Sequence, residues 1–175
     1  AKPFITDGKA VVMKLPVNYS ITPYFKIEAP DAGLLIDIRT DNYKGGSEYN
    51  VRTEYVTYKG IQEFETPGYM NGHEVIYSFP AGVKVLELGY RRTSFPTGHL
   101  GKFECDDEAL NSLWHKSLNT MDLNMRDAIQ DPDRERSQWW GDVVIVLGEI
   151  FYTCDSNGVS AIKKAMSNLV EWQRA

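Results

Sequence analysis

The chain has 175 residues, 42% hydrophobic and 25% charged, an ordinary folded-domain mix long enough for one large domain or for a domain and part of another. A net charge of −5 argues against nucleic acid or an anionic membrane surface as the main partner. No apolar run approaches the roughly 20 residues that a spanning helix needs, so no membrane partner is expected.

The opening Ala1-Lys-Pro-Phe-Ile-Thr6 has no signal-peptide pattern. A signal removed earlier leaves the compartment open, with a periplasmic or secreted location favoured over a cytoplasmic one. Cys105 and Cys154 do not form a metal-ligand spacing, and one disulfide or two buried free thiols are the alternatives. Cys154 continues an apolar helix face, which favours the thiols. His73, His99 and His115 are scattered, so no metal site is expected, and no cofactor is implied.

Residues 1 to 104 read as β-structure. Ala10–Leu15 is a short apolar run, and Tyr19–Ile27 alternates loosely around Pro23, which suggests an edge or a bulge. Leu34–Arg39 follows a Pro-Asp-Ala-Gly turn, and Asp41–Gly46 is turn chemistry. From Tyr49 to Tyr58 the alternation is clear, with Tyr49, Val51, Thr53, Tyr55 and Thr57 on one face. Lys59-Gly60 then closes a predicted hairpin into Ile61–Glu65, and two further apolar runs flank Pro80-Ala-Gly82. Short strands at this rhythm predict an antiparallel β-sandwich.

At Phe103 the period changes from two to three-and-four. Asp106 or Asp107 can cap a helix that carries Leu110, Leu113, Trp114, Leu118, Met121 and Met125. A second helix carries Val143, Val144, Leu147, Ile150, Phe151 and Cys154. Asp155-Ser-Asn-Gly158 stops it and starts a third, with Ile162, Ala165, Met166, Leu169, Val170 and Trp172. These faces are wide and have little in 175 residues to bury them. They could cap the sandwich, begin a larger helical array, or mediate self-association.

Between the first two helices lies Asp127–Asp142, with five carboxylates, two arginines and a tryptophan pair. Pro132 and Gly141 interrupt it, so it reads as a loop held between rigid elements, where chemistry tends to sit. A solvated charged turn has no use for both Trp139 and Trp140. A sugar cleft does: a flat indole covers the apolar C–H face of a pyranose, and carboxylates accept from its hydroxyls.

The stretch Asp131-Pro-Asp-Arg-Glu-Arg-Ser-Gln-Trp-Trp-Gly-Asp142 resembles the signature loop of the bacterial α-L-rhamnosidases of glycoside hydrolase family 78. Gln62–Glu65, Gly68–Gly72 and Val85–Arg91 are similar to the β-domain that precedes the barrel in that family, and Phe103–Glu108 to the entry of its first helix. The resemblance implies an α+β, multi-domain arrangement: a β-sandwich over 1–104, then 105–175 as about three N-terminal helices of an (α/α)6 six-hairpin glycosidase domain, truncated here. It implies a fragment of an inverting α-L-rhamnosidase acting on L-rhamnosides, with the general base beyond this chain and the chain alone inactive. The alternative is a non-catalytic carbohydrate-binding or scaffold unit.

The same resemblance implies the residue roles. Glu135 matches the general acid; burial or a neighbouring carboxylate such as Asp133 or Asp142 must offset Arg134 and Arg136, whose heads are expected to turn away from it. Trp139 matches an apolar wall suited to the methyl group of a 6-deoxy sugar. Asp142 matches a ring-hydroxyl acceptor, although it could equally cap the second helix. Arg134 could bind a sugar oxygen or clamp Asp131 and Asp133. Trp140 has no counterpart and reads as core. The family's Asp-Cys-Pro is Asp131-Pro132 here, so either one residue is absent or Gln130 stands at the family's Asp position, with Asp131 as the other substrate-binding candidate.

Overall fold

The computed structural model describes residues 2–44, 52–133 and 136–173. They form two compact units, Ala1–Thr93 and Ser94–Ala175. Among the described residues, no helix is long and apolar enough to cross a membrane.

The first unit is an antiparallel β-sandwich of seven strands: β1 (Phe4–Ile5), β2 (Ala10–Ala29), β3 (Leu35–Thr40), β4 (Arg52–Val56), β5 (Gly60–Glu65), β6 (Met70–Ser78) and β7 (Lys84–Arg92). The ladder runs β1-β7-β2-β6-β3-β4, and β5 joins it through β2. The two runs expected before residue 28 are one strand, β2. Its first half pairs with β6 and its second with β7 on one edge and β5 on the other.

Pro23 sits inside this central strand, not at an edge. Its carbonyl accepts from Thr66 N–H at 2.9 Å, in the gap where β5 ends and β6 has not begun. The register of β2 and β5 sets Pro23 opposite Thr66, so the N–H that proline lacks leaves only the reciprocal bond to Thr66 O unmade, at the end of the β5 ladder.

Alternation buries Thr57 and half-buries Thr53 and Tyr55, while Glu54 and Val56 face out. Tyr49 and Val51, expected on the inner face, lie outside the described residues. The hairpin expected at Lys59-Gly60 does not form: β4 pairs with β3, and β5 with β2. The buried Gln62 amide explains the turn. Its Nε2 donates to the carbonyls of Tyr58 (2.5 Å) and Gly60 (3.0 Å), and its Oε1 accepts from Tyr58 N–H (3.1 Å) and the Tyr55 hydroxyl (3.0 Å). With Gly60 at φ 104°, these bonds swing the chain away from β4.

The core under the sheet includes Ile21, Phe25, Ile27, Ile36, Ile38, Val75, Tyr77 and Phe79. Burial pushes the Tyr77 hydroxyl well above the ordinary phenol range, and that hydroxyl donates to Gly89 O at 2.6 Å.

The second unit holds α1 (Glu108–Asn124), α2 (Trp140–Thr153) and α3 (Ser156–Glu171). Asp107 caps α1, its carboxylate accepting from Ala109 N–H at 2.8 Å, and Asp155 caps α3 from Asn157 N–H at 2.8 Å. Their core is narrower than the apolar pattern predicts. It takes Met121, Met125, Ile129, Val143, Val146, Ile150, Ala161 and Ala165, with Trp140 and Cys154 packed against it. Val144, Phe151, Met166, Leu169, Val170 and Trp172 are exposed. The buried face of α3 is small (Gly158, Ala161, Ala165), so the backbones of α2 and α3 approach closely and the larger side chains beside that stripe stay outside.

Both cysteines are free and half-buried. The α2–α3 corner is strapped by residues 97–101. The Asp155 carboxylate accepts from Gly98 N–H (2.9 Å) and the Thr97 hydroxyl (2.8 Å), and Thr153 O accepts from Leu100 N–H (2.8 Å).

Candidate functional site

The chain between α1 and α2 is fastened at each stage. Immediately after α1, Met125 and Ile129 form a short bridge, and Gln130 N–H donates to Asn124 O at 2.9 Å. Asp131 N–H then donates to Ser137 O at 3.1 Å, which ties these two backbones together. The Asp131 carboxylate accepts from Asp133 N–H at 2.8 Å. Gln138 is buried; its Nε2 donates to Ala165 O at 3.2 Å and its Oε1 accepts from Asn168 Nδ2 at 3.1 Å, which ties the loop's exit to α3.

Arg136 is held at φ 52°, a left-handed conformation that costs a non-glycine residue about 1–2 kcal/mol. Its Nε donates to Asp133 O at 3.4 Å. A loop forced into such a conformation is over-determined by its surroundings, as binding loops often are.

A cavity of about 420 Å³ opens beside this loop. Asp131, Pro132, Trp139 and Asp142 line it, with Asn124 and Gln130 from the preceding turn and Ile129, Val143 and Val146 as its apolar floor. Three of the residues picked from sequence therefore share one cavity: Asp131, Trp139 and Asp142. The Trp139 ring is 50% exposed, available as a flat apolar face. Asp142 lies in the first turn of α2 but does not cap it; the cap position is Trp139, which makes no side-chain cap bond. Arg134 and Glu135 lie outside the described residues, between Asp133 and Arg136 in the chain, and with them the expected turning of the arginines away from Glu135.

The electrostatics of the loop shift one carboxyl from its ordinary value. Burial raises the pKa of Asp133 above the usual aspartate range, the Asp131 charge adds to the rise, and Arg136 only partly opposes it. Asn124 and Gln130 were not assigned a role by sequence reasoning. Asn124 is simply the last residue of α1 and carries no pattern of its own. Gln130 was visible only as one of two alternatives for the family's aspartate position, the other being that one residue is absent.

Residues 98–175 match the model of the bacterial α-L-rhamnosidase six-hairpin glycosidase domain. Three solved structures share the fold. A GH78 family rhamnosidase of Bacillus sp. GL1 superposes with a TM-score of 0.77 at 23% identity, over 93% of this chain and 18% of that one. An α-L-rhamnosidase from Dictyoglumus thermophilum gives 0.69 at 20% identity, over 99% and 21%. A rhamnosidase from Klebsiella oxytoca with rhamnose bound gives 0.68 at 14% identity, over 85% and 34%. The chain thus spans between about a fifth and a third of the length of these proteins. No curated protein matches it by sequence. The resemblance read from the loop is matched by that family model over residues 98–175 and is borne out in fold, including the order of sandwich and helices.

Proposed function

We propose that this chain carries the general-acid side of an inverting α-L-rhamnosidase, as the β-domain and first barrel helices of a longer glycosidase. The observation that carries the reading is the shared cavity: Asp131, Trp139 and Asp142 line it, in a stretch whose sequence includes Glu135, within the segment that matches the rhamnosidase domain.

Inversion needs a protonated carboxyl at the leaving oxygen and a carboxylate that activates water from the opposite face, about 6.5–9.5 Å apart. Glu135 is the acid in this reading. Burial and the Asp131 charge raise the pKa of its neighbour Asp133, the direction that an acid in this loop needs. Trp139 stands against the apolar face and methyl group of the sugar. Asp142 and Asp131 accept from ring hydroxyls, and Arg134 donates to a sugar oxygen. A carboxylate that grips a hydroxyl harder in the transition state raises the rate as well as the affinity. The base lies beyond this chain. Further helices would cover Val144, Ile145, Phe151 and Tyr152, which leave α2 apolar on its outer side as well as its inner one.

The test is hydrolysis of aryl α-L-rhamnosides by the full-length protein and its Glu135→Gln variant. We expect activity in the parent and none in the 175-residue chain alone. Loss of the acid should cost on the order of 10²–10⁴-fold with a poor leaving group, and far less with an activated phenol that needs no proton. An equal loss on both would remove Glu135 from the acid role. Sugar binding without hydrolysis in the parent would support a carbohydrate-binding unit instead.

A further inference from the structure

We infer that a second cavity, beside the first, takes the leaving group of the substrate, and that this group is an acidic sugar whose carboxylate pairs with Lys164; the inference rests on reading the first cavity as the pocket for the hydrolysed sugar. The second cavity has a volume of about 260 Å³ and lies between α3 and the chain that precedes α2. That is below the about 300 Å³ at which pockets for drug-sized ligands begin, so it suits a single ring. Gln130 lines both cavities, which makes them neighbours.

One stripe of α3 supplies a wall. Lys164 and Asn168 stand one helical turn apart, and Trp172 follows a turn later as the C-cap, its N–H donating to Asn168 O at 3.0 Å. Asn168 is committed: its Nδ2 donates to Oε1 of the buried Gln138 at 3.1 Å, which fixes the stripe against the opposite wall. The outer two residues face the cavity without such ties. Among the described residues no carboxylate pairs with Lys164, and Trp172 is 64% exposed. Charge sets the two cavities apart. Among the described side chains, the first is lined by two negative charges, Asp131 and Asp142; the second is lined by one negative and two positive, Asp127 with Arg136 and Lys164. A neutral sugar donating hydroxyls suits the first, and a ring that carries an anion suits the second. Lysine offers that anion a compact point charge, the Asp127 carboxylate accepts from a hydroxyl of the same ring, and the Trp172 indole covers its C–H face.

The experiment uses the full-length protein and two disaccharides of the same linkage that differ in one group, α-L-rhamnosyl-glucuronate and α-L-rhamnosyl-glucose. At low salt, kcat/KM on the uronate should exceed that on the glucose compound by about threefold to tenfold, between the yield of an exposed ion pair and that of a charge-assisted hydrogen bond. The ratio should fall toward one in 1 M salt, where charges are screened beyond about 3 Å. Lys164→Ala should bring the ratio to about one and Lys164→Glu below one, while Lys164→Arg keeps it above one. Trp172→Ala should lower kcat/KM on both disaccharides alike, by about threefold to tenfold. A parent ratio of one or less, a ratio that Lys164→Glu leaves untouched, or a parent that cleaves aryl rhamnosides but neither disaccharide would overturn the inference. If the parent cleaves no rhamnoside at all, the rhamnosidase reading falls by itself, and titration calorimetry with free glucuronate and glucose tests the cavity. Glucuronate binding that Lys164→Glu abolishes keeps the acidic-sugar site; equal binding of the two sugars, or none, overturns it.

Discussion

Adding a single methyl group at Gly158 tests the packing that holds the helical unit together. Alanine is a better helix former than glycine by about 1 kcal/mol, so propensity alone predicts that Gly158→Ala stabilises α3. Space predicts the reverse. The new Cβ would stand 2.5 Å from Cys154 Cβ and 3.0 Å from Ile150 Cγ2, against the about 3.5–4.0 Å that carbon atoms prefer. Ile150 is fully buried and Cys154 Cβ is fixed to its backbone, so neither can swing aside. Overpacking of this kind costs about 1–3 kcal/mol, and here α3 itself must shift. The net expectation is a destabilisation of about 1–2 kcal/mol, or about 4–8 °C per kcal/mol for a unit of this size.

Gly148 in α2 supplies the control, because nothing lies within 4 Å of a Cβ built there. Gly148→Ala should leave stability unchanged or raise it by up to about 1 kcal/mol. All four tryptophans fall at residues 114–172, so tryptophan fluorescence during thermal or urea unfolding reports on the second unit alone. A Gly158→Ala variant as stable as the parent would refute the close approach of α2 and α3.

Two further expectations follow from carboxylates in the same unit. The Gly98 N–H bond, then the Thr97 hydroxyl bond, holds the Asp155 pKa below the ordinary 3.8, so its stabilisation is present above that value and fades as pH falls through the lower folded pKa. Asp155→Ala should therefore lower the fluorescence-detected midpoint at pH 7, with the deficit shrinking in strong acid; a deficit that stays constant with pH would reject the linkage. Asp133 has the opposite sign. Its folded pKa is raised above 3.8, so the stability it contributes is present below that value and is lost as pH rises through the folded pKa. Asp133→Asn should raise the midpoint at pH 7 and match the parent below about pH 3.8, and a lower midpoint at pH 7 would refute the burial argument.

Local chemistry made several features legible from residues alone. The Asp106-Asp107 pair and the Asp155–Gly158 break announced their helices, because a short acidic side chain before an apolar-periodic run can cap it, and the caps are Asp107 and Asp155. The alternation through Thr53, Tyr55 and Thr57 marked the inward face of this segment, since period two has no other reading. The loop stood out because Trp139 and Trp140 are too apolar for a plain charged turn, and the structure splits them between cavity and core.

What was not legible depended on partners far away in the chain. The β4–β5 hairpin looked complete until Gln62 redirected it, and an isolated glutamine says nothing of four bonds to a turn. The outward faces of α2 and α3 were indistinguishable from inward ones, because hydrophobicity does not reveal whether a partner is present. Asn124 carried no signal because an amide at a helix end is common and becomes informative only when a cavity opens beside it.

The twenty-residue β2 has a consequence for how the protein is made. Its pairing partners in β7 are synthesised late: Ile21 pairs with Arg92. At about 5–20 residues per second, roughly 4–14 seconds pass between their emergence, during which a long apolar strand has open edges. Such a strand is a template for pairing with another nascent copy. Pro16 lies where the β6 ladder lapses between Lys14 and Tyr19, and Pro23 where β5 and β6 part. Both fall at breaks in the finished ladder, and both deny a donor to any stranger that would zip along the whole strand. The interruptions in the ladder thus double as protection for the unfinished chain.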